Sequence, residues 1–213
     1  MPDLRDFRLG ADVVGSDGEK AGWLVSVLVE EKGFDPKAVV VKEEESLAGR
    51  LLADERFYVT DEVVVPISAV ASATHDVIKL SIPAADIRKQ PPYLSYRFKP
   101  LTVGEAALEE AEVLGGLGTP ANVEEVANKS ADQIEIDRDE NVMLGTTGRR
   151  LGKVQDLLYH DGELIGVVIR PEGFFKKDVV LPIRFISRAD DMALFAALNA
   201  SDIENLEPFA GTE

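Results

Sequence analysis

The stretch that decides the fold is AGWLVSVLVEEKGFDPKAVVVKEE, which runs from Ala21 to Glu44. It holds two valine-rich apolar runs of strand length on either side of a polar turn, a pattern that predicts two neighbouring β-strands. A second stretch, LGKVQDLLYHDGELIGVVIRPEG, repeats this pattern from Leu151 to Gly173. The chain of 213 residues therefore contains the same pair of strands twice.

Two further stretches recur in the same order. VVVPISAVASA (63–73) matches VVLPIRFISRA (179–189), and AADIRKQPPY (84–93) matches SDIENLEPF (201–209). The shared proline in the first of these pairs removes a backbone donor and ends matching strands. Repetition in one order indicates a duplicated small domain.

Short strands separated by Asp-Gly and Thr-Gly turns favour a small barrel or sandwich. The fold class that we predict is mainly β, with two small barrels joined by a short acidic helical segment. The predicted boundaries are 1–98 for the first barrel, with an insertion near 46–62, then 99–137 for the linker and 138–213 for the second barrel. We expect the two barrels to pack against each other with pseudo-twofold symmetry.

The linker is the most acidic part of the chain, with 2 basic and 9 acidic residues out of totals of 23 and 39. Thr102 and Glu105 form a capping-box pattern that predicts a helix up to Leu114. A second short helix is predicted from Pro120 to about Lys129. Its expected apolar stripe is Val123, Val126 and Ala127. Such helices suit either a passive linker or a docking element for a partner.

The insertion in the first copy, mainly SLAGRLLADERFYVTDE, adds about a dozen residues that the second copy lacks. It carries the aromatic residues Phe57 and Tyr58. Two interpretations stay open, a loop that lies on its own barrel and a flap that binds a partner, since loops on a fixed scaffold often carry function.

Composition excludes several functions. The chain has no cysteine, which rules out disulfides, thiol catalysis and thiolate metal sites. Its net charge of −16 argues against direct nucleic-acid binding, which requires positive charge opposite the phosphates. No apolar run approaches the roughly 20 residues of a membrane helix, and the N-terminus does not have the pattern of a secretory signal. The expected location is the cytoplasm.

Side chains that could carry chemistry are few. His75 and His160 have no companion at metal-ligand spacing. Asp137, Asp139 and Glu140 cluster ahead of the second barrel and suit a hard cation, although the glycine-containing pattern of calcium loops is missing. Two interpretations are open for Arg149, Arg150, Lys153, Lys176 and Lys177, a basic patch on the second barrel and ordinary surface charge. We predict no catalytic, cofactor-binding or metal site, and no cofactor.

Two glycine-rich stretches also lack the context of nucleotide sites. GTTGRRLGK, Gly145 to Lys153, continues into valine and a predicted strand, whereas a phosphate loop opens a helix. GGLG, Gly115 to Gly118, lacks the spacing of a dinucleotide fingerprint. The run Glu43 to Glu45 after a strand is expected to be a solvated loop. Trp23 suits either the core or a contact between the barrels.

A glycine spacing enters the first strand of each copy, Gly18 with Gly22 and Gly148 with Gly152. A reversing turn and a second strand follow, "AVVVK" in the first copy and "GVVIR" in the second. A loop then leads into "VVVPISAV" or "VVLPIRFI". This order of segments resembles the PRC-barrel family. That family is named from the cytoplasmic domain of the photosynthetic reaction centre H subunit and includes the C-terminal part of a ribosome maturation factor. The first copy departs from the family's sequence pattern at two positions. It has Trp23 and Ser26 where the second copy has Lys153 and Asp156.

The resemblance implies a barrel used for assembly and protein contact, with no catalytic residues to carry over. We therefore expect a non-enzymatic adaptor or scaffold with a protein partner, and self-association as a further option. One alternative is a ribosome- or RNA-processing-associated factor that binds a basic ribosomal protein. Another is a small-molecule or metal-binding regulatory module.

Overall fold

The structure is a computed structural model that describes residues 3–4, 6–43, 62–98, 123–145, 147–160, 162–172, 177–190, 192–199, 202–203 and 205–210. The strands up to residue 80 are β1 (Asp3–Leu4), β2 (Asp6–Arg8), β3 (Asp12–Val14), β4 (Lys20–Glu30), β5 (Pro36–Glu43), β6 (Glu62–Pro66), β7 (Val70–Ala73) and β8 (Val77–Leu80). The short helix α1 (Ala84–Ile87) follows.

The remaining strands are β9 (Leu94–Phe98), β10 (Val123–Ala127), β11 (Gln133–Asp137), β12 (Asn141–Leu144), β13 (Arg150–His160), β14 (Glu163–Pro171), β15 (Val179–Pro182), β16 (Ile186–Asp190), β17 (Ala193–Ala196) and β18 (Glu207–Pro208). A 3₁₀ turn follows the shared proline in each copy, at Ile67–Ala69 and Ile183–Phe185. The prediction of a mainly β chain is confirmed.

Each copy forms a sheet, and the two sheets have matching strand orders. The first runs β1-β7-β8-β3-β4-β5-β6, and the second runs β16-β17-β12-β13-β14-β15-β18. β3 to β6 therefore correspond to β12 to β15, and the hairpin β7–β8 corresponds to β16–β17. The repeat found in the sequence is a repeat of topology.

The longest strands of each copy pair as antiparallel neighbours, β4 with β5 and β13 with β14. Both pairs have register irregularities at matching places, after Leu24 and after Val154. An extra residue in one strand bends it and increases its twist, which lets a long strand curve around a small core. One cluster of buried apolar side chains spans both copies.

The two copies exchange a strand. β2, which precedes the first copy, pairs with β13 of the second, with Phe7 opposite Leu157. β11, which precedes the second copy, pairs with β4 of the first, with Ile136 opposite Val27. The two pairings occupy equivalent positions on equivalent strands, so the copies are related by a pseudo-twofold arrangement. β11 lies within the segment predicted as a linker, while the boundaries at 98 and 138 stay a prediction.

Aromatic packing anchors the exchanged N-terminal strand. The Phe7 ring is fully buried and meets the Tyr159 ring edge to face, with centroids 5.1 Å apart. Such pairs contribute about 0.5–1.5 kcal/mol beyond area burial. Ile136 is fully buried at the equivalent place in the other sheet. Each sheet is thus completed by an apolar side chain from outside its own copy.

The predicted helix over 120–129 is wrong, because Val123–Ala127 forms strand β10 and pairs antiparallel with β9. Leu94 and Ala127 of this two-stranded ribbon pack on a separate apolar cluster on the first sheet, made of Leu28, Ala38, Val40 and Tyr93. The apolar surface of the first sheet therefore selects a strand where local spacing also suited a helix. The predicted helix between Thr102 and Leu114 and the insertion near 46–62 lie outside the described residues.

The paired glycines that enter the first long strand of each copy are required for two different physical reasons. Gly18 and Gly148 have φ angles of 80° and 67°, a conformation that costs other residues about 1–2 kcal/mol. At Gly22 a side-chain carbon would lie 1.9 Å from the Lys42 carbonyl oxygen. At Gly152 it would lie 2.3 Å from that of Arg170. The first glycine of each pair permits the turn, and the second permits close approach of the neighbouring strand.

Candidate functional site

The two copies differ most clearly at one edge of each sheet. β7 of the first copy is covered by β1 in a parallel pairing that places Asp3 opposite Ser72 and Leu4 opposite Ala73. Its equivalent, β16, ends the second sheet, and no strand in the described part of the chain pairs with its outward side. An uncovered edge presents unpaired backbone donors and acceptors to another chain. The outward side of β16 is therefore a candidate interaction surface.

Two arginine–phenylalanine pairs lie along this edge. The Arg188 guanidinium lies 3.9 Å from the centroid of the Phe195 ring, and its Nη2 is 3.7 Å from Oδ2 of Asp190. Arg184, in the preceding 3₁₀ turn, lies 4.8 Å from the centroid of Phe185. A guanidinium stacked on a ring keeps its charge while its stem is held in place. We call β16 with Arg184, Arg188 and Phe195 the β16 edge.

A surface depression of about 370 Å³ adjoins the β16 edge. Its lining residues are Gly145, Ser187, Arg188, Phe195 and Ala197. The Ser187 hydroxyl donates to the Phe195 carbonyl oxygen at 3.0 Å, which ties the edge strand to its neighbour. The depression combines an aromatic wall with one charged group, the combination that a side-chain pocket uses for orientation.

Other apolar exposure is also found on the second copy. Ile165 and Met192 are the large apolar side chains most exposed in the described part of the chain, at 50% and 80%. Met192 lies in the turn that joins β16 to β17, beside the β16 edge. On the first copy, by contrast, the β9–β10 ribbon packs on the apolar cluster around Leu28. Among the residues that the structure describes, the most exposed large apolar side chains therefore belong to the second copy.

The acidic residues ahead of the second copy, Asp137, Asp139 and Glu140, differ in how deeply they are buried. Glu140 is buried and its pKa is raised to about 9, chiefly by burial and then by the nearby Asp137 carboxylate, with smaller effects of Glu135 and Asp190. The Asp137 backbone opposes the shift without outweighing it. Neither Glu140 oxygen has a well-formed hydrogen bond among the described residues. At neutral pH this side chain is protonated, which makes it a poor ligand for a hard cation.

Asp137 shares this environment. Its pKa is also raised, first by burial and then by Glu135 and Asp139, while Lys153 acts in the opposite sense. Within the described ranges, no group of three or more histidine, aspartate or glutamate side chains is placed to hold a metal ion. The arrangement of the cluster gives the cation hypothesis no geometric support.

The histidines have separate surroundings. His75, from the β7–β8 turn of the first copy, places Nδ1 3.8 Å from Oδ2 of the buried Asp156 on β13. Its ring also lies 6.1 Å from that of Phe209. Arg8 Nη1 lies 3.4 Å from Oδ1 of Asp76 in the same turn. The two contacts of His75 cross between the copies, whereas the Arg8–Asp76 contact stays within residues 1–98. His160 ends β13 on the exposed surface.

Two of the five residues of the predicted basic patch, Arg150 and Lys153, have acidic neighbours. Arg150 forms an ion pair with Glu172, and its Nη1 donates to Asn141 Oδ1 at 3.3 Å. Lys153 lies near Asp137, as its effect on that carboxylate indicates. Lys176 lies outside the described residues. Two further arginines, Arg184 and Arg188, lie at the β16 edge, which sequence spacing did not single out.

Two other predictions are resolved by burial. Trp23 is half-buried on β4, opposite Asp12 and Lys42, and belongs to neither buried apolar cluster. Glu43 was expected in a solvated loop, but it is buried at the end of β5, with Oε2 3.8 Å from Arg88 Nε. The Gly145–Lys153 stretch forms the turn and strand start that the sequence indicates. GGLG lies outside the described residues.

The comparisons with known proteins agree with this topology. A family model described as the PRC-barrel domain matches residues 9–87 and, a second time, residues 131–200. The chain belongs to the PRC-barrel domain family. The two PRC-barrel matches cover well over half of the chain, and each contains the main strands of one sheet, β3 to β8 or β12 to β17. No curated protein matches the chain. None of the helices in the described ranges has the length and hydrophobicity of a membrane span.

Proposed function

We propose that this tandem PRC-barrel protein is a non-enzymatic adaptor that acts through protein–protein contacts. The single observation that carries the proposal is the unequal covering of two equivalent edges, β7 paired with β1 and β16 without a partner strand among the described residues. Sheet edges that a protein leaves open are places where another chain adds. One copy then serves as a closed scaffold and the other as the recognition module.

The chemistry of the site supports binding over catalysis. The β16 edge offers arginine, phenylalanine and backbone groups, a composition enriched at protein interfaces. The buried carboxyl of Glu140 is protonated at neutral pH and the buried Asp156 faces His75 across the copies. The proposal gives none of these groups a role in a reaction.

Affinity capture from native lysate tests the adaptor proposal. Tagged full-length protein is the bait, and captured proteins are identified by mass spectrometry with and without an excess of untagged protein. We expect one or a few proteins whose enrichment the untagged protein abolishes. Enrichment of ribosomal proteins would favour the ribosome-associated alternative. Recovery of the bait alone, together with stabilisation by a metabolite or divalent ion in a thermal-shift screen, would replace the adaptor proposal by the regulatory-module alternative.

A further inference from the structure

In the first copy, strand β1 covers the edge strand β7, and this pairing is a template for a strand that could cover β16 in the second copy. Ser72 on β7 pairs with Lys79 on β8, as Arg188 on β16 pairs with Phe195 on β17. Ser72 and Arg188 are therefore equivalent positions. In the first copy, the strand that covers the edge places Asp3 opposite Ser72. An acidic residue in an added strand thus lies opposite the position that is an arginine in the second copy.

The equivalent edge of the second copy has the charge that attracts such a strand. The whole chain has a net charge of −16, yet Arg184 and Arg188 stand four positions apart at the β16 edge. The side chain of Arg188 is 62% exposed. Its contact with Asp190 is 3.7 Å long, and Asp190 Oδ1 already accepts from the backbone N–H groups of Met192 and Ala193, both at 3.1 Å. An incoming carboxylate finds Arg188 held in place by Phe195 and accessible to a second partner.

We propose that an extended acidic segment of a partner protein adds as a strand to the outward side of β16. The template makes the pairing parallel. A carboxylate of the segment binds Arg188, and the apolar side chain next to it lies opposite Ala189, as Leu4 lies opposite Ala73 in the first copy. This inference rests on the proposed adaptor function and names the chemistry of its partner. Backbone hydrogen bonds supply affinity in this mode, and side-chain pockets supply selectivity.

Charge on an edge strand also has a protective use, because it discourages edge-to-edge aggregation. Protection requires only that the charge be solvated. At the β16 edge the guanidinium is instead stacked on Phe195 and stands at the rim of a depression. Fixed geometry of this kind favours recognition of a carboxylate over simple repulsion of other edges.

The probe for the experiment is a fluorescein-labelled peptide of alternating aspartate and leucine, titrated with the full-length protein and followed by fluorescence anisotropy. A peptide with lysine in place of aspartate tests the sign of the charge. Two further peptides carry backbone N-methyl groups on either the odd or the even residues. Since an added strand uses the donors of one edge only, one methylated peptide should bind and the other should not.

Charge-reversal variants locate the site. Arg188→Glu should weaken binding of the acidic peptide by about tenfold or more, because it replaces attraction by repulsion. Lys79→Glu is the matched control, since it makes the same change of charge at an exposed position on β8 of the first copy. It should leave the affinity within about twofold, because distant exposed charges are screened. Raising the salt from about 50 mM to about 200 mM should weaken binding to the unmodified protein.

The inference is overturned if the acidic peptide does not bind, if both variants weaken it equally, or if both methylated peptides bind. Dimerisation that Arg188→Glu abolishes, without peptide binding, would assign the edge to a second copy of the chain and overturn the partner segment. Affinity capture from lysate with the unmodified protein and with Arg188→Glu distinguishes failure of this inference from failure of the adaptor proposal. Partners retained by Arg188→Glu would leave the adaptor standing and remove the edge from recognition, whereas capture of nothing by either protein would count against the adaptor itself.

Discussion

Glu140→Gln removes a buried carboxyl that must take up a proton when the chain folds at neutral pH. The folded-state pKa is about 9, against an ordinary value of 4.5. Between these two values the folded chain holds a proton that the unfolded chain has lost, so stability falls as the pH rises from 4.5 towards 9. At pH 7 the cost is about 3 kcal/mol, since each unit between 4.5 and 7 contributes about 1.4 kcal/mol. At pH 5 it falls to about 1 kcal/mol.

Glutamine has nearly the same shape and needs no proton. The difference in free energy of unfolding between Glu140→Gln and the unmodified protein should therefore grow by about 2–3 kcal/mol in favour of the variant from pH 5 to pH 7. Urea denaturation at both pH values measures it. Glu163→Gln, at an exposed position in β14, controls for the loss of one carboxylate and should change stability by about 0.5 kcal/mol or less. An equal effect of Glu140→Gln at both pH values would show that the folded protein does not hold this proton.

Three further predictions concern the duplicated fold. Phe7→Ala should lower the free energy of unfolding, measured by urea denaturation, by about 3–5 kcal/mol, because the ring is fully buried between the copies. A decrease below about 1 kcal/mol would mean that β2 is not docked. Gly152→Ala should lower the melting temperature more than Gly148→Ala, because the first forces apart two paired strands while the second strains one turn; the reverse order would contradict the close approach. Fragments 1–98 and 138–213 each lack an exchanged strand, β11 and β2 respectively, so each alone should show poor near-UV circular dichroism. Mixing fragment 1–137, which contains both exchanged strands, with fragment 138–213 should recover the signal; two fully folded separate fragments would refute the exchange.

Much of the fold was predictable because the duplicated stretches carry their own signals. The valine-rich runs of β4 and β5, the Gly–Gly spacing and the shared proline all act locally, and each defines the same element in both copies. β10 was not predictable from spacing, since Val123 and Val126 suit one face of a helix equally well. The deciding contacts, pairing with β9 and packing on the first sheet, come from distant parts of the chain.

The exchanged strands left a weaker signal. QIEID, the sequence of β11, alternates polar and apolar residues, which is the period of a half-buried strand. The same alternation does not say which sheet the strand joins, and proximity in sequence favours the wrong one. The β16 edge left no signal at all, because Arg188 and Phe195 become neighbours only through the β16–β17 pairing.

Strand exchange also has a consequence for the order in which the chain folds during synthesis. The first sheet lacks β11 until Asp137 has been made, although its own strands are finished by Leu80. β2 is made almost first, yet its site on β13 exists only after His160. Pairings between segments so far apart form late, and until then the apolar side chain of Phe7 has no site to fill. The nascent first sheet therefore stays incomplete until β11 is made, and β2 stays undocked until β13 is made. During that interval the chain is most exposed to chaperones and to aggregation.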